Sequence, residues 1–81
     1  MLNPKELIVN FLSQEPDRTV IELLDYDANW VLVKAPFNPN EKEFNAMFLL
    51  SKLGNTVKPF LPFDAPDKYL RAINRKPIYR A

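Results

Sequence analysis

The first hydrophobic positions of the chain follow a helical spacing. They form one apolar stripe made of Leu7, Ile8, Phe11 and Leu12. Asn3 is a suitable N-cap, Pro4 suits the first helical position, and Glu6 stands three residues after the cap. Pro16 cannot continue a helix. The pattern therefore predicts a helix that begins after Asn3 and ends before Pro16.

The next two apolar segments indicate a β-hairpin. Residues 19–24 begin with three β-branched side chains, and residues 30–35 are strand-like throughout. Residues 25–29 supply Asp and Asn, which favour turns. A competing interpretation makes Asp17 an N-cap and residues 18–25 a short helix. The β-branched start of the segment favours the strand.

The second strand of this hairpin is apolar on both faces. Alternation places Val31, Val33 and Ala35 on one side and Trp30 and Leu32 on the other. A strand of this kind is covered on both faces, by helices or by a partner.

Residues 40–54 are predicted to form a second helix. Asn40 is a suitable cap, acidic residues follow it, and Gly54 fits the C′ position. Residues 47–50, with Leu53, would be apolar around most of the circumference. This helix is therefore either central to the fold or an interface, and self-association through residues 47–53 or through a sheet edge is one expectation.

A third strand is predicted at residues 56–58. A strand, helix and strand between residues 30 and 60 would favour a right-handed crossover and parallel pairing. Pro59 and Pro62 make the following stretch an edge strand or an extended loop.

The C-terminal part is predicted to hold a third helix. Asp64 would cap it, Pro66 lies in its first turn, and it would end near Arg75 before Pro77 and a short extended tail. The resulting order is α-β-β-α-(β)-α. We expect a small single α+β domain over residues 1–81, with an antiparallel hairpin packed by two or three helices and a basic C-terminal helix and tail at residues 65–81.

The composition excludes several kinds of catalytic and metal-binding site. The 81 residues include no Cys, no His and one Gly. Disulfides, thiolate nucleophiles and histidine-based triads or zinc sites are therefore excluded, and no glycine-rich phosphate loop can form. We expect no enzymatic activity, no cofactor and no metal.

Two carboxylates are a candidate exception to the expected absence of a metal site. Asp25 and Asp27 stand two residues apart, so an extended backbone would point both to one side, where they could hold Mg²⁺. The alternative is that both are turn residues at the hairpin tip, and this is the favoured interpretation.

The net charge of +1 conceals an asymmetry. Residues 1–67 carry a net charge of −4, and residues 68–81 carry +5 with no acid. The candidate binding residues at this basic end are Lys68, Arg71, Arg75, Lys76, Tyr79 and Arg80. Residues 69, 70 and 73 would anchor the helix to the core. The basic face could bind an acidic protein surface or nucleic acid, or it could simply be solvated or paired with the acidic part of the chain.

A proline-bounded apolar segment offers a second candidate surface. Residues 59–63 have a P-x-x-P spacing that includes Phe60 and Phe63. These two rings and Phe37 are candidate docking residues, although such a segment more often sends its side chains into the core.

These observations favour a non-catalytic interaction module that binds a protein partner as an inhibitor, adaptor or regulator. Small chains of this kind are frequent among phage and mobile-element accessory proteins. Nucleic-acid binding through the basic C-terminal segment is the alternative. No apolar run is long enough for a membrane span and no signal peptide is readable, so the cytoplasm is the expected location.

Overall fold

A computed structural model describes residues 2–38 and 46–81. The elements over these ranges, in chain order, are α1 (Pro4–Gln14), β1 (Glu22–Asp25), β2 (Trp30–Lys34), β3 (Met47–Ser51), β4 (Val57–Pro59), a 3₁₀ turn (Pro62–Asp64), α2 (Pro66–Ile73) and β5 (Tyr79–Arg80). The strands form one antiparallel sheet in the order β4-β3-β2-β1-β5. The chain is thus a small α+β domain with a central sheet.

The first helix forms as expected. The Oδ1 atom of Asn3 accepts a hydrogen bond from the backbone N–H of Glu6 at 2.9 Å. Leu7 and Phe11 are fully buried against one face of the sheet. That face presents Leu23, Val31, Val33, Phe48 and Leu50. Helix α1 therefore covers half of the core.

The second helix covers the opposite face. Ala72 of α2 is fully buried, and it packs with Leu24, Tyr26, Leu32, Leu49 and Phe60. The prediction that β2 is covered on both faces is confirmed, because its odd-numbered and even-numbered residues belong to different clusters. Within the described residues, no helix has the length and apolar character needed to cross a membrane.

The predicted hairpin is confirmed, and the competing helix at residues 18–25 is wrong. Leu23 pairs with Val33 and Leu24 with Leu32 in the antiparallel register of β1 and β2. The regular strand begins at Glu22 rather than at Thr19, although the N–H of Thr19 still donates to the carbonyl of Pro36 at 2.8 Å.

The predicted second helix is wrong over its second half, while residues 39–45 lie outside the described part of the chain. Residues 47–51 form β3, whose Phe48 and Leu50 face α1 and whose Leu49 faces α2. A run that is apolar at every position shows neither helical nor strand periodicity. Its sequence therefore does not distinguish a buried helix from a strand buried on both faces. Residues 48–50 lie in the core, so they are not available for the self-association predicted through residues 47–53, whereas Leu53 is exposed.

The predicted third strand exists, but its predicted parallel pairing is wrong. Strand β4 follows β3 through a short turn and pairs with it antiparallel. It lies at the sheet edge, as Pro59 suggested. The C-terminal tail also joins the sheet, since β5 pairs with β1. The observed order is α-β-β-β-β-α-β.

The cap of the C-terminal helix lies one residue later than predicted. Asp64 ends the 3₁₀ turn, and the cap position of α2 is Ala65, which supplies no side-chain hydrogen bond. Pro66 occupies the first turn, where its missing N–H is not needed.

Candidate interaction surface

The hairpin tip shows how the acidic residues are used. The Oδ1 atom of Asp27 accepts hydrogen bonds from the N–H groups of Asn29 at 2.8 Å and of Trp30 at 2.9 Å. The ammonium of Lys52 lies 2.7 Å from Oδ1 of Asp25. These contacts support the turn interpretation, because the two carboxylates are engaged by the protein itself. In the ranges described, no group of three His, Cys, Asp or Glu residues could hold a metal ion.

The acidic residues of the hairpin also form ion pairs with cations of the basic C-terminal segment. Lys68 lies 3.7 Å from the Oδ2 atom of Asp27, and Arg75 lies 3.4 Å from the Oδ2 atom of Asp25. These side chains are partly exposed, so each pair contributes less than about 1 kcal/mol. The pairs nevertheless neutralise two cations of the predicted basic face.

Arg80 is held in the same way further along β1. Its guanidinium lies 3.0 Å from Glu22, whose carboxylate also lies 3.2 Å from Lys34. Glu22 pairs with both residues in the sheet register, so the three side chains share one face of adjacent strands. The charge of Arg80 is therefore paired with a carboxylate within the sheet.

Two cations of the predicted face are left for a partner. Within the described part of the chain, Arg71 and Lys76 are exposed and have no ion-pair partner. Tyr79 does not join them, because its ring packs with the α1 side of the core. The six predicted binding residues thus do not form one surface.

Tyr79 instead lines a groove between α1 and the edge strand β5. The groove has a volume of about 550 Å³ and is lined by Asn3, Pro4, Lys5, Ile8, Val9 and Tyr79. It lies on the face of the sheet opposite α2, and sequence reasoning did not indicate it, because it depends on β5 lying beside α1.

The three candidate docking rings have different environments. Phe60 is buried in contact with Tyr26 and Tyr69, so it is not available for docking. Phe37 is half exposed, but the guanidinium of Arg18 lies 4.1 Å from its ring centroid. Phe63 is 75% exposed and is the candidate ring most open to a partner.

Sequence reasoning missed the apolar side chains that accompany Phe63. Leu70 and Ile73 were expected to anchor α2, but Leu70 is 52% exposed and Ile73 is 37% exposed. Tyr69 packs on the core as predicted, and the small Ala72 faces the sheet in place of Leu70 and Ile73. We call Leu61, Phe63, Leu70 and Ile73 the α2 surface. The signal in the sequence was Ala72, whose small side chain allows the helix to lie close to the sheet.

Tyr26, which packs with α2, makes the stability of the domain depend on pH. Burial, and secondarily the charge of Asp27, raises the pKa of the Tyr26 hydroxyl above its usual value. Folding therefore favours the protonated phenol, so this contribution to stability is intact below about pH 10 and is lost as the pH rises through the raised pKa.

The test compares the wild type with Tyr26→Phe in urea unfolding from about pH 8 to about pH 11. The ring contact with Phe60 is kept in the variant, so its stability should fall less steeply at high pH. Parallel profiles for the two proteins would contradict the expected burial of this hydroxyl.

Comparison of the chain with protein-family models, with curated proteins and with solved structures found no significant match. Function is therefore inferred from the geometry of the α2 surface and from the charges beside it.

Proposed function

We propose that this chain is a non-catalytic interaction module whose α2 surface binds a protein partner. The observation that carries the proposal is the concentration of exposed apolar side chains. The described residues include seven large hydrophobic side chains that are exposed, and four of them lie between residues 61 and 73. Burying apolar area contributes about 25 cal/mol per Å², so such a segment favours association.

The scaffold supports this use of the segment. The 3₁₀ turn and α2 are positioned by Phe60 and Ala72, which are buried on the sheet. The backbone N–H of Phe60 also donates to the carbonyl of Met47 in β3 at 3.1 Å. A surface held by a rigid sheet loses little conformational entropy on binding.

Two unpaired cations beside the α2 surface indicate part of the chemistry of the partner. Arg71 lies on α2 itself, and Lys76 follows its C-terminal end. Both cations are free to pair, so an apolar patch with acidic residues at its rim would be complementary. Inhibition, adaptation or regulation by occupying such a patch needs no catalytic group, which agrees with a chain without Cys or His.

The test is affinity capture of the tagged chain from its native host, with Phe63→Glu as the disrupting variant. Leu53→Glu is the matched control, because Leu53 is 76% exposed and lies in the turn after β3. A charge in place of an apolar ring in the contact should weaken capture by about tenfold or more. The control should capture the partner as the wild type does. Equal capture by both variants would exclude the α2 surface as the binding site.

Nucleic-acid binding remains the alternative proposal, and it has less support. Phosphate binding depends on several free cations along one surface. Lys68, Arg75 and Arg80 are paired with carboxylates of the same chain. Within residues 68–81, Arg71 and Lys76 are the cations without an ion-pair partner in the described structure.

A further inference from the structure

Helix α2 carries charges of both signs beside the α2 surface, in a symmetric arrangement. Asp67 lies in the first turn of α2 and Arg71 in its last turn, four residues apart. Residues at this spacing stand on the same side of a helix, here beside Leu70. Both side chains are exposed, and neither has an ion-pair partner in the described ranges.

This arrangement is complementary to itself. When two identical helices pack antiparallel about a two-fold axis, the same side of each helix faces its equivalent in the other. The midpoint between Asp67 and Arg71 is residue 69, next to the exposed Leu70. A two-fold axis at this point would bring the two copies of Leu70 together at the centre. On either side of them, Asp67 of one copy would face Arg71 of the other.

We propose that a second copy of this chain occupies the α2 surface, with the two α2 helices antiparallel. In this pairing Leu70 contacts the partner's Leu70, and Asp67 pairs with the partner's Arg71. The symmetry repeats that ion pair, since Arg71 meets the partner's Asp67. On the other side of the helix, Ile73 meets the partner's Pro66.

The proposal rests on the proposed function, since it assigns an occupant to the same surface, and it adds a form of regulation. Helix α2 has eight residues, so the shared contact is small and the dimer is weak and reversible. A second copy would cover the apolar side chains until a more complementary protein displaces it. Self-association and partner binding then compete.

The test is sedimentation equilibrium with exchanged charges. Asp67→Arg alone places two pairs of like charges in the interface, and so does Arg71→Asp alone. Each single variant should raise the dimer dissociation constant by about tenfold or more. An equimolar mixture of the two should associate as the wild type does, because each contact again joins opposite charges. The double variant Asp67→Arg/Arg71→Asp should also recover the homodimer.

Asp17→Arg is the control, because Asp17 is exposed and lies outside α2, and it should leave association unchanged. A wild type that stays monomeric at about 1 mM would overturn the proposal. Single variants that associate as the wild type does, or an equimolar mixture of the two that stays monomeric, would also overturn the proposal. None of these results touches the proposed function, which fails separately if capture is insensitive to Phe63→Glu.

Discussion

Phe11→Ala is expected to lower the free energy of unfolding by about 3–5 kcal/mol. The Phe11 ring is fully buried, and its centroid lies 5.4 Å from that of Phe48 in β3. It is one of the two fully buried α1 residues, with Leu7. Removing the ring leaves a cavity between α1 and the sheet that neighbouring side chains can fill only in part.

A loss of this size is a large part of the stability of so short a chain. Urea unfolding followed by circular dichroism measures it. Phe63→Ala is the matched control, because the same ring is removed from a position that is 75% exposed. The control should change stability by no more than about 0.5 kcal/mol. Equal losses in the two variants would contradict the packing of α1 described above.

Gly54→Ala is expected to cost about 1–3 kcal/mol. Gly54 has a φ of +78° in the turn between β3 and β4, a conformation that L side chains rarely adopt. An added Cβ would also meet the side chains of Asn10 and Leu2. Both neighbouring atoms are the ends of flexible side chains, so backbone strain is the larger part of the cost.

A double-mutant cycle separates the cost of backbone strain from the cost of steric overlap with Asn10. In an Asn10→Ala background, Gly54→Ala should cost less than in the wild type, because one steric overlap is gone. Gly54→Asn should cost less than Gly54→Ala, because Asn tolerates positive φ better. Thermal unfolding measures the four proteins of the cycle and the Gly54→Asn variant. An Ala variant as stable as the wild type would contradict the positive φ at this turn.

Local signals in the sequence were sufficient for α1 and for the β1–β2 hairpin. Asn3 caps the helix through its side chain, and Asp27 closes the turn through its own carboxylate. Both interactions join residues within three positions of each other. Such interactions can be predicted from spacing, because they need no knowledge of the topology.

Strand β3 could not be predicted in the same way. Its apolar run 47–50 is compatible with a buried helix and with a strand buried on both faces. Gly54 was expected to end a helix, but a residue with positive φ serves equally well in the turn of a hairpin. Only the pairing with β4 across the following turn, and with the more distant β2, decides between them.

The candidate site could be predicted only in part, because it also depends on contacts between residues that are far apart in sequence. Helical spacing located the basic residues of α2, but the acids that neutralise Lys68 and Arg75 lie about forty to fifty positions earlier. The P-x-x-P segment was identified as apolar, but its spacing could not show that Phe60 enters the core while Phe63 points outward. The side of α2 that meets the sheet depends on the small Ala72.

Site-specific photo-crosslinking in the native host tests the α2 surface most directly. A photoreactive amino acid is placed at Phe63 in one variant and at Leu53 in the other, since the two side chains are almost equally exposed, at 75% and 76%. We expect a crosslink to another protein from position 63 and none from position 53. Crosslinks of equal yield from both positions, or none from position 63, would contradict the proposal that the α2 surface is the binding site.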